Sequence, residues 1–189
     1  MNVADVVYLL EEPAHDNAIE CLNAEAFGPG RFARAAYKIR EGGPHARHLS
    51  FVAMSDGKVV ASVRQTPIAA GGGRSLLLGP LAVIPAWKNL GIGRRLVRMA
   101  LDAAAQAGWH SVVLVGDEPY YGPLGFARIP DGRLSMPRPV DPNRLLIHEI
   151  VPGALEALSG DVVHVDLAHP VSADSASSTV AASGAVAAL

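Results

Sequence analysis

A pair of glycines at the start of a helix is the sequence feature that most constrains the fold. Gly91 and Gly93 follow an apolar stretch at residues 76–84 and precede an Ala-rich stretch that Gly108 closes. Because a glycine has no side chain, the backbone of this turn can come close to a ligand. The first amides of a helix are unpaired and carry partial positive charge, which favours a phosphate group. The pattern predicts a strand, a phosphate-binding turn, a helix and a second strand at residues 112–115.

Periodic apolar residues support a helix from about residue 91 to residue 107. They recur at three- and four-residue steps, at Ile92, Leu96, Met99 and Ala103. Arg94 and Arg95 lie off this stripe in the first turn, where a positive charge opposes the helix dipole unless an anion lies there. We therefore interpret the turn as a site for a diphosphate.

Two motifs in register carry a resemblance to a known family. The first is Lys88-Asn89-Leu90-Gly91-Ile92-Gly93, and the second is Tyr121-Gly122-Pro123-Leu124-Gly125-Phe126. With them the chain resembles the GNAT superfamily of acyl-CoA-dependent N-acyltransferases, most closely its bacterial YhbS-like branch. The first motif matches the superfamily signature Gln/Arg-x-x-Gly-x-Gly/Ala except for lysine in the first position. The second matches Tyr-x-x-x-Gly-Phe at every fixed position, although Gly116-Asp117-Glu118-Pro119 stands where many members carry an asparagine.

The resemblance implies a mixed α/β (α+β) fold, with a mainly antiparallel central sheet flanked by helices and a splayed parallel strand pair. We predict one domain over residues 1–167 and a low-complexity, disordered tail over residues 168–189. Asp56-Gly57 between two strand-like runs predicts a hairpin. The other predicted elements are strands at 6–10, 49–54, 58–68, 145–150 and 162–167, and helices that end at Gly28 and span 31–40 and 153–158.

The resemblance also implies acetyl-CoA as the acyl donor. Amides of the fourth strand would bond the pantetheine arm, with an N–H near Val83 donating to the thioester oxygen, and the glycine turn would hold the diphosphate. The residues predicted to bind the coenzyme are Leu81, Ala82, Val83, Lys88, Asn89, Leu90, Gly91, Ile92, Gly93 and Arg94. Direct attack of an amine on the thioester is the predicted reaction, because one tyrosine is placed to protonate the leaving group and the sequence offers no convincing covalent nucleophile.

Tyr121 is the predicted general acid, as the residue that matches the family's tyrosine. A phenol with a pKa of about 10 is protonated at neutral pH, and a thiolate of pKa about 8.5 leaves more readily when it is protonated. A structural role for Tyr121 in the turn before Gly125 is the alternative, and Tyr120 is interpreted as packing. The base that deprotonates the amine stays open, with carboxylates at Glu25, Asp117, Glu118 and Glu149 as candidates.

Other readings of the motifs remain as alternatives. A dinucleotide-binding fold is disfavoured because Leu96 replaces its third glycine and Gly91 comes seven positions after Ile84, where that fold turns at once. A binding module that senses acyl-CoA, or holds a partner, without catalysis would keep the glycine turn but would not need Tyr121.

Composition and charge limit the kinds of partner and cofactor that we expect. A net charge of −2 gives no indication of nucleic-acid binding, and the single cysteine, Cys21, excludes an internal disulfide. His45 and His48 have no further ligands at metal-binding spacing, so we predict no metal. The chain shows neither a signal-peptide pattern nor an apolar run that would span a bilayer, and we expect a cytoplasmic protein. The acceptor amine, the acyl-chain length and the oligomeric state stay open, with a homodimer among the alternatives.

Overall fold

The computed structural model describes residues 5–168, in which a nine-stranded sheet carries helices on both faces. The strands are β1 (Val7–Leu10), β2 (Phe51–Ser55), β3 (Lys58–Ala70), β4 (Gly73–Val83), β5 (Ser111–Val115), β6 (Ala127–Arg128), β7 (Leu134–Ser135), β8 (Leu145–Glu149) and β9 (Gly160–His164). The α-helices of this range are α1 (Asp16–Phe27), α2 (Ala35–Arg40), α3 (Ile92–Gln106) and α4 (Glu118–Tyr121). The predicted disordered tail lies outside the described residues from residue 169 onward.

The sheet is antiparallel except where β4 meets β5 and in a two-residue contact of β7 with β9. Its order is β1-β2-β3-β4-β5-β8-β6, with β9 paired to β3. Asp56 and Gly57 form the β2–β3 turn at positive φ (48° and 71°), as the sequence predicts. Because α3 carries the chain back across the sheet, β5 runs parallel to β4. The predicted mixed fold is therefore confirmed.

Helix α3 covers one face of the sheet. Its buried side follows four-residue steps, at Ile92, Leu96, Ala100 and Ala104. Met99 and Ala103, which the sequence predicts on this side, are only partly buried. The helix instead turns the small side chains of Ala100 and Ala104 toward the sheet, where they allow its backbone to come close. The opposite face packs against Ile39 of α2.

The predicted helix at residues 31–40 is wrong in its first half. Residues Pro29–Ala33 form a 3-10 turn, and Arg34 is extended, with φ −75° and ψ 146°. The Arg34 guanidinium lies 5.3 Å from the ring centroid of Phe27, a cation–π contact that ties the break to the end of α1. The regular helix therefore begins only at Ala35.

The last predicted strand is shorter at its C-terminal end. It comprises Gly160–His164, and a 3-10 turn follows at Val165–Leu167. Nδ1 of His164 accepts a hydrogen bond from the Asp166 amide at 3.1 Å, which turns the chain away from the sheet. The predicted short helix at 153–158 is likewise a 3-10 turn, Ala154–Ala157.

Candidate active site

The parallel strands β4 and β5 separate toward their C-terminal ends. Within residues 5–168 their register ends at Leu77 opposite Val113. Just beyond, β4 bulges, because Gly79 and Pro80 together lie opposite the single residue Arg64 of β3. The sheet is therefore open between two neighbouring strands, as the predicted splayed pair requires.

Two main-chain amides of β4 face this opening. The Ile84 N–H donates to the Val60 carbonyl of β3 at 3.0 Å, and along an antiparallel strand such donors alternate in direction. Ala82 therefore directs its N–H toward β3, whereas Leu81 and Val83 direct theirs toward the opening. Of the three predicted strand residues, two have amides that a ligand in the opening can reach.

The glycine turn leads directly into α3. Gly91 caps the helix in the left-handed conformation at φ 82°, and Asn89 is also at positive φ (63°). The Arg95 amide donates to the Gly91 carbonyl at 3.0 Å, which closes the first helical turn. The amides that precede it, at Ile92, Gly93 and Arg94, lie at the positive end of the helix dipole. The turn thus has the features of an anion site.

One cavity of about 1280 Å³ contains the opening and the turn. The predicted site residues that line it are Leu81, Val83, Lys88, Asn89, Gly91, Ile92, Gly93, Arg94 and Tyr121. Ala82 is buried within the sheet, and Leu90 is 43% exposed on the outside of the turn. These two predicted coenzyme residues are the ones that do not line the cavity.

Tyr121 lies at the end of α4, beside the C-terminal end of β5. Its ring occupies the space that a Cβ on Gly116 would take, and it stacks edge-on against Phe126 at 5.6 Å between centroids. Burial raises the pKa of the Tyr121 phenol, and the nearby Tyr120 and Asp117 raise it further, while Arg144 lowers it. The phenol is therefore protonated throughout the neutral pH range.

Tyr120 also lines the cavity, which the sequence did not predict. Its hydroxyl lies 2.7 Å from the position of a Cβ on Gly93, and its ring is 5.6 Å from the Arg94 guanidinium. Burial raises the pKa of this phenol too, against the influence of Arg94. Tyr120 therefore lies over the glycine turn, in addition to packing against Tyr121 at 4.8 Å.

A buried carboxylate, Glu11, organises the other end of the cavity. Its side chain is fully shielded from solvent and accepts hydrogen bonds from Arg47 (2.7 Å), Arg64 (3.0 and 2.9 Å) and His45 (2.8 Å). Burial raises the pKa of Glu11, but the hydrogen bonds and charges of His45 and Arg64 outweigh burial and lower the pKa to about 2. Asp16 neutralises the network further by pairing with Arg47 and Arg64.

His45 connects this network to the cavity that it lines. Since Glu11 is ionised, the His45 Nε2 at 2.8 Å from it is the nitrogen that carries the proton. In the neutral imidazole, Nδ1 is then the acceptor. No local sequence pattern indicates this pair, because His45 and Glu11 are 34 residues apart.

The four carboxylates considered as bases occupy different places. Asp117 lines the cavity, where the Arg144 Nε lies 3.1 Å from its Oδ1. Glu118 accepts a hydrogen bond from Arg128 at 2.6 Å, and Glu149 accepts from the Gly153 and Leu155 amides. Glu25 is exposed on α1. Only Asp117 of the four lies at the cavity.

Among residues 5–168, no group of three or more His, Cys, Asp and Glu side chains could hold a metal ion. No helix in the same part of the chain has both the length and the apolar character needed to cross a membrane.

The fold and the cavity together define a class of protein. A mainly antiparallel sheet whose central parallel pair opens beside a glycine turn is the arrangement of an acyl-CoA-dependent acyltransferase domain. The chain belongs to the GNAT acetyltransferase family, whose model, described as Acetyltransferase (GNAT) family, matches residues 14–126. The family predicted from the two motifs is therefore confirmed, and the chain is a member of an enzyme family.

Relatives of known structure agree with this assignment. The N-acetyltransferase YhbS of Escherichia coli K12 is 28% identical over 154 residues, which cover 80% of this chain and 91% of YhbS. The crystal structure of E. coli YhbS in complex with CoA has a TM-score of 0.72 at 26% identity, covering 85% of this chain and 89% of YhbS. A GNAT acetyltransferase from Brucella melitensis in complex with acetyl-CoA has a TM-score of 0.63 at 26% identity, covering 85% and 97% of the two chains.

Proposed function

We propose that this chain transfers the acetyl group of acetyl-CoA directly to an amine, without a covalent enzyme intermediate. The observation that carries the proposal is the shared cavity, which the glycine turn, the opening beside β4 and Tyr121 all line. The CoA in the YhbS crystal structure and the acetyl-CoA in the Brucella structure support the choice of coenzyme.

The coenzyme would lie across the opening, with its diphosphate on the amides of residues 92–94. Lys88 and Arg94 add positive charge at this end of the cavity. The pantetheine arm would bond the Leu81 and Val83 amides like an added strand, with the Val83 N–H donating to the thioester oxygen. Such a donor contributes about 3 kcal/mol in the transition state. Ala82 and Leu90 would support their neighbours without touching the coenzyme.

The chemical step joins the amine nitrogen to the thioester carbon as the C–S bond breaks. Tyr121 would donate its phenolic proton to the departing thiolate. The amine must lose a proton as well, and a primary amine of pKa about 10.4 is only about 0.1% neutral at pH 7. We assign His45 as the base that accepts this proton. It lines the cavity, and its Nδ1 is an acceptor because Nε2 donates to Glu11.

We expect His45→Gln to lower kcat about 100-fold at pH 7, because glutamine can still donate to Glu11 but cannot take up a proton. The loss should shrink as the pH rises toward 9.5, where bulk water deprotonates more of the amine. Steady-state rates at several pH values measure both effects. His48→Gln is the matched control, since His48 is exposed and does not line the cavity. A loss that is equal at all pH values would contradict the assignment.

A pair of alanine substitutions tests the diphosphate site. Gly91 and Gly108 flank α3 at nearly equal φ (82° and 79°), and a Cβ at either would meet no atom within 4 Å. Backbone strain is therefore matched, but only Gly91 lies at the cavity. We expect Gly91→Ala to weaken acetyl-CoA binding about 10- to 100-fold in calorimetry, by displacing a phosphate from its charge-assisted amide contacts. Gly108→Ala should bind like the unaltered protein, and equal affinities for all three proteins would refute the site.

The function itself is tested by release of free CoA thiol from acetyl-CoA in the presence of amino acids, polyamines, aminoglycosides and peptides. Turnover with at least one amine, with initial rates that fit a ternary complex, is the expected result. Tight acetyl-CoA binding without turnover on any amine would instead favour a sensor, the second candidate, and ping-pong kinetics would contradict direct attack. The cytoplasmic location and the homodimer stay predictions from the sequence.

A further inference from the structure

Arg40, at the C-terminal end of α2, lies at the cavity beside the bulge of β4. It lines the cavity, and its Nη2 is 3.3 Å from the position that a Cβ on Gly79 would occupy. The bulge is where β4 departs from β5, so the guanidinium lies next to the opening that would hold the thioester. A side chain at position 79 would fill the space beside Nη2, and glycine leaves this space free.

The Arg40 charge has no counter-ion in the described range. Within residues 5–168 no carboxylate lies within 4 Å of its guanidinium, and its Nε is shielded from solvent without a hydrogen-bond acceptor. Burial lowers the pKa of Arg40 to about 10, Arg64 lowers it too, and Tyr37 opposes them. The Arg40 side chain is only partly exposed, and an unpaired charge that is partly withdrawn from water is unfavourable, so the ligand-free site favours an anion.

The carboxylates of the cavity are already engaged by other groups. They are Glu20 with Arg64 (3.4 Å), Glu41 with Lys38 (2.7 Å), Asp117 with Arg144 (3.1 Å) and Asp141 with the Asn143 amide (3.0 Å). Arg64 itself is occupied by Glu11 and Asp16. The anion that complements Arg40 must therefore come with a ligand.

We propose that Arg40 binds the carboxylate of the acceptor, so that the acceptors of this enzyme are small amino acids. The inference rests on the proposed acetyl transfer and specifies its substrate. A guanidinium presents its two terminal groups, Nη1–H and Nη2–H, as a planar fork that matches a carboxylate with two parallel hydrogen bonds, and Nη2 of Arg40 lies beside the free space at Gly79. Because this fork lies beside the bulge of β4, the amine must be only a few bonds from the carboxylate to reach the thioester.

Matched substrates and one substitution test the proposal. Thiol release is measured with amino acids and with the corresponding amino acid amides, which keep the amine and lose the charge. We expect kcat/KM to be at least about 100-fold higher for the acids, since the amide leaves Arg40 unpaired. Arg40→Gln should abolish most of this preference while the KM for acetyl-CoA stays the same.

The melting temperature of the ligand-free protein shows whether Arg40 binds a ligand or supports the fold. Removing an unpaired, shielded charge should leave the ligand-free melting temperature of Arg40→Gln unchanged or higher, whereas a structural arginine would lower it. Turnover of amines without a preference for acids would overturn this inference and leave the acetyltransferase intact. If no amine turns over, the proposed function fails, and calorimetry with glycine and alanine decides the carboxylate site: binding that Arg40→Gln removes supports it, and no binding refutes it.

Discussion

Tyr121→Phe is expected to lower kcat by about 100- to 1000-fold while leaving the affinity for acetyl-CoA unchanged. The variant loses only the phenolic O–H, which would protonate the CoA thiolate as it departs, and general acid catalysis of this kind contributes about 10²–10⁴-fold. The raised pKa of Tyr121 keeps the proton on the phenol at neutral pH, so the proposed acid carries its proton throughout that range. Steady-state kinetics and acetyl-CoA calorimetry together measure the two quantities.

The phenylalanine variant keeps the rest of the site in place. Its ring can still fill the space beside Gly116 and stack on Phe126, so we expect no more than a small change in stability. Tyr120→Phe is the informative comparison, because the two tyrosines are adjacent and both line the cavity. A large kcat loss in Tyr120→Phe together with normal turnover in Tyr121→Phe would move the acid role to Tyr120.

Glu11→Gln is expected to reduce the free energy of unfolding by about 3 kcal/mol. The substitution keeps the shape of the side chain but removes the charge that three cationic or proton-donating side chains surround, at Arg47, Arg64 and His45. Breaking a buried ion network on one side typically costs about 3–5 kcal/mol, and Asp16 remains to neutralise part of the charge. Urea unfolding at pH 7 measures the loss.

The same carboxylate predicts how stability depends on pH. The pKa of Glu11 is about 2 in the folded chain, against 4.5 for an unperturbed glutamate. Its contribution is therefore complete above about pH 4.5 and is lost as the pH falls toward 2, and by linkage it amounts to about 3 kcal/mol. The stabilities of the unaltered protein and Glu11→Gln should converge across this window. Glu25→Gln, exposed on α1, should follow the unaltered protein; parallel curves for Glu11→Gln would refute the assignment.

Local sequence signals predicted much of this fold. The β2–β3 turn follows from Asp56-Gly57, and the start of α3 follows from Gly91, because each conformation depends on a few adjacent residues. The helix predicted at 31–40 begins only at Ala35 because Arg34 is extended, and the Arg34 guanidinium contacts Phe27 of the preceding helix. Propensity within the segment contains no information about such a contact.

The two ends of the cavity differed in how far the sequence could describe them. The end proposed to bind the coenzyme is contiguous, since residues 88–94 form one turn and the motif lies within it. The end proposed for the acceptor is assembled from α2, β3 and the segment after β1, so that Glu11 meets Arg64 across 53 residues of chain. The position of Tyr120 over the glycine turn was not predicted, because its direction depends on how α4 sits on Gly93, a contact across 27 residues.

The bulge at Gly79 and Pro80 divides β4 into two parts that differ in their strand pairing. Its first half is an interior strand, while its second half has an unpaired border in the middle of the sheet. Unpaired strand edges of this kind can pair with other polypeptides, and proteins commonly cover them or keep them short. Here side chains such as Tyr37 and Arg94 enclose the border within a cavity. The unpaired amides that would otherwise favour self-association are therefore available to a ligand in the cavity.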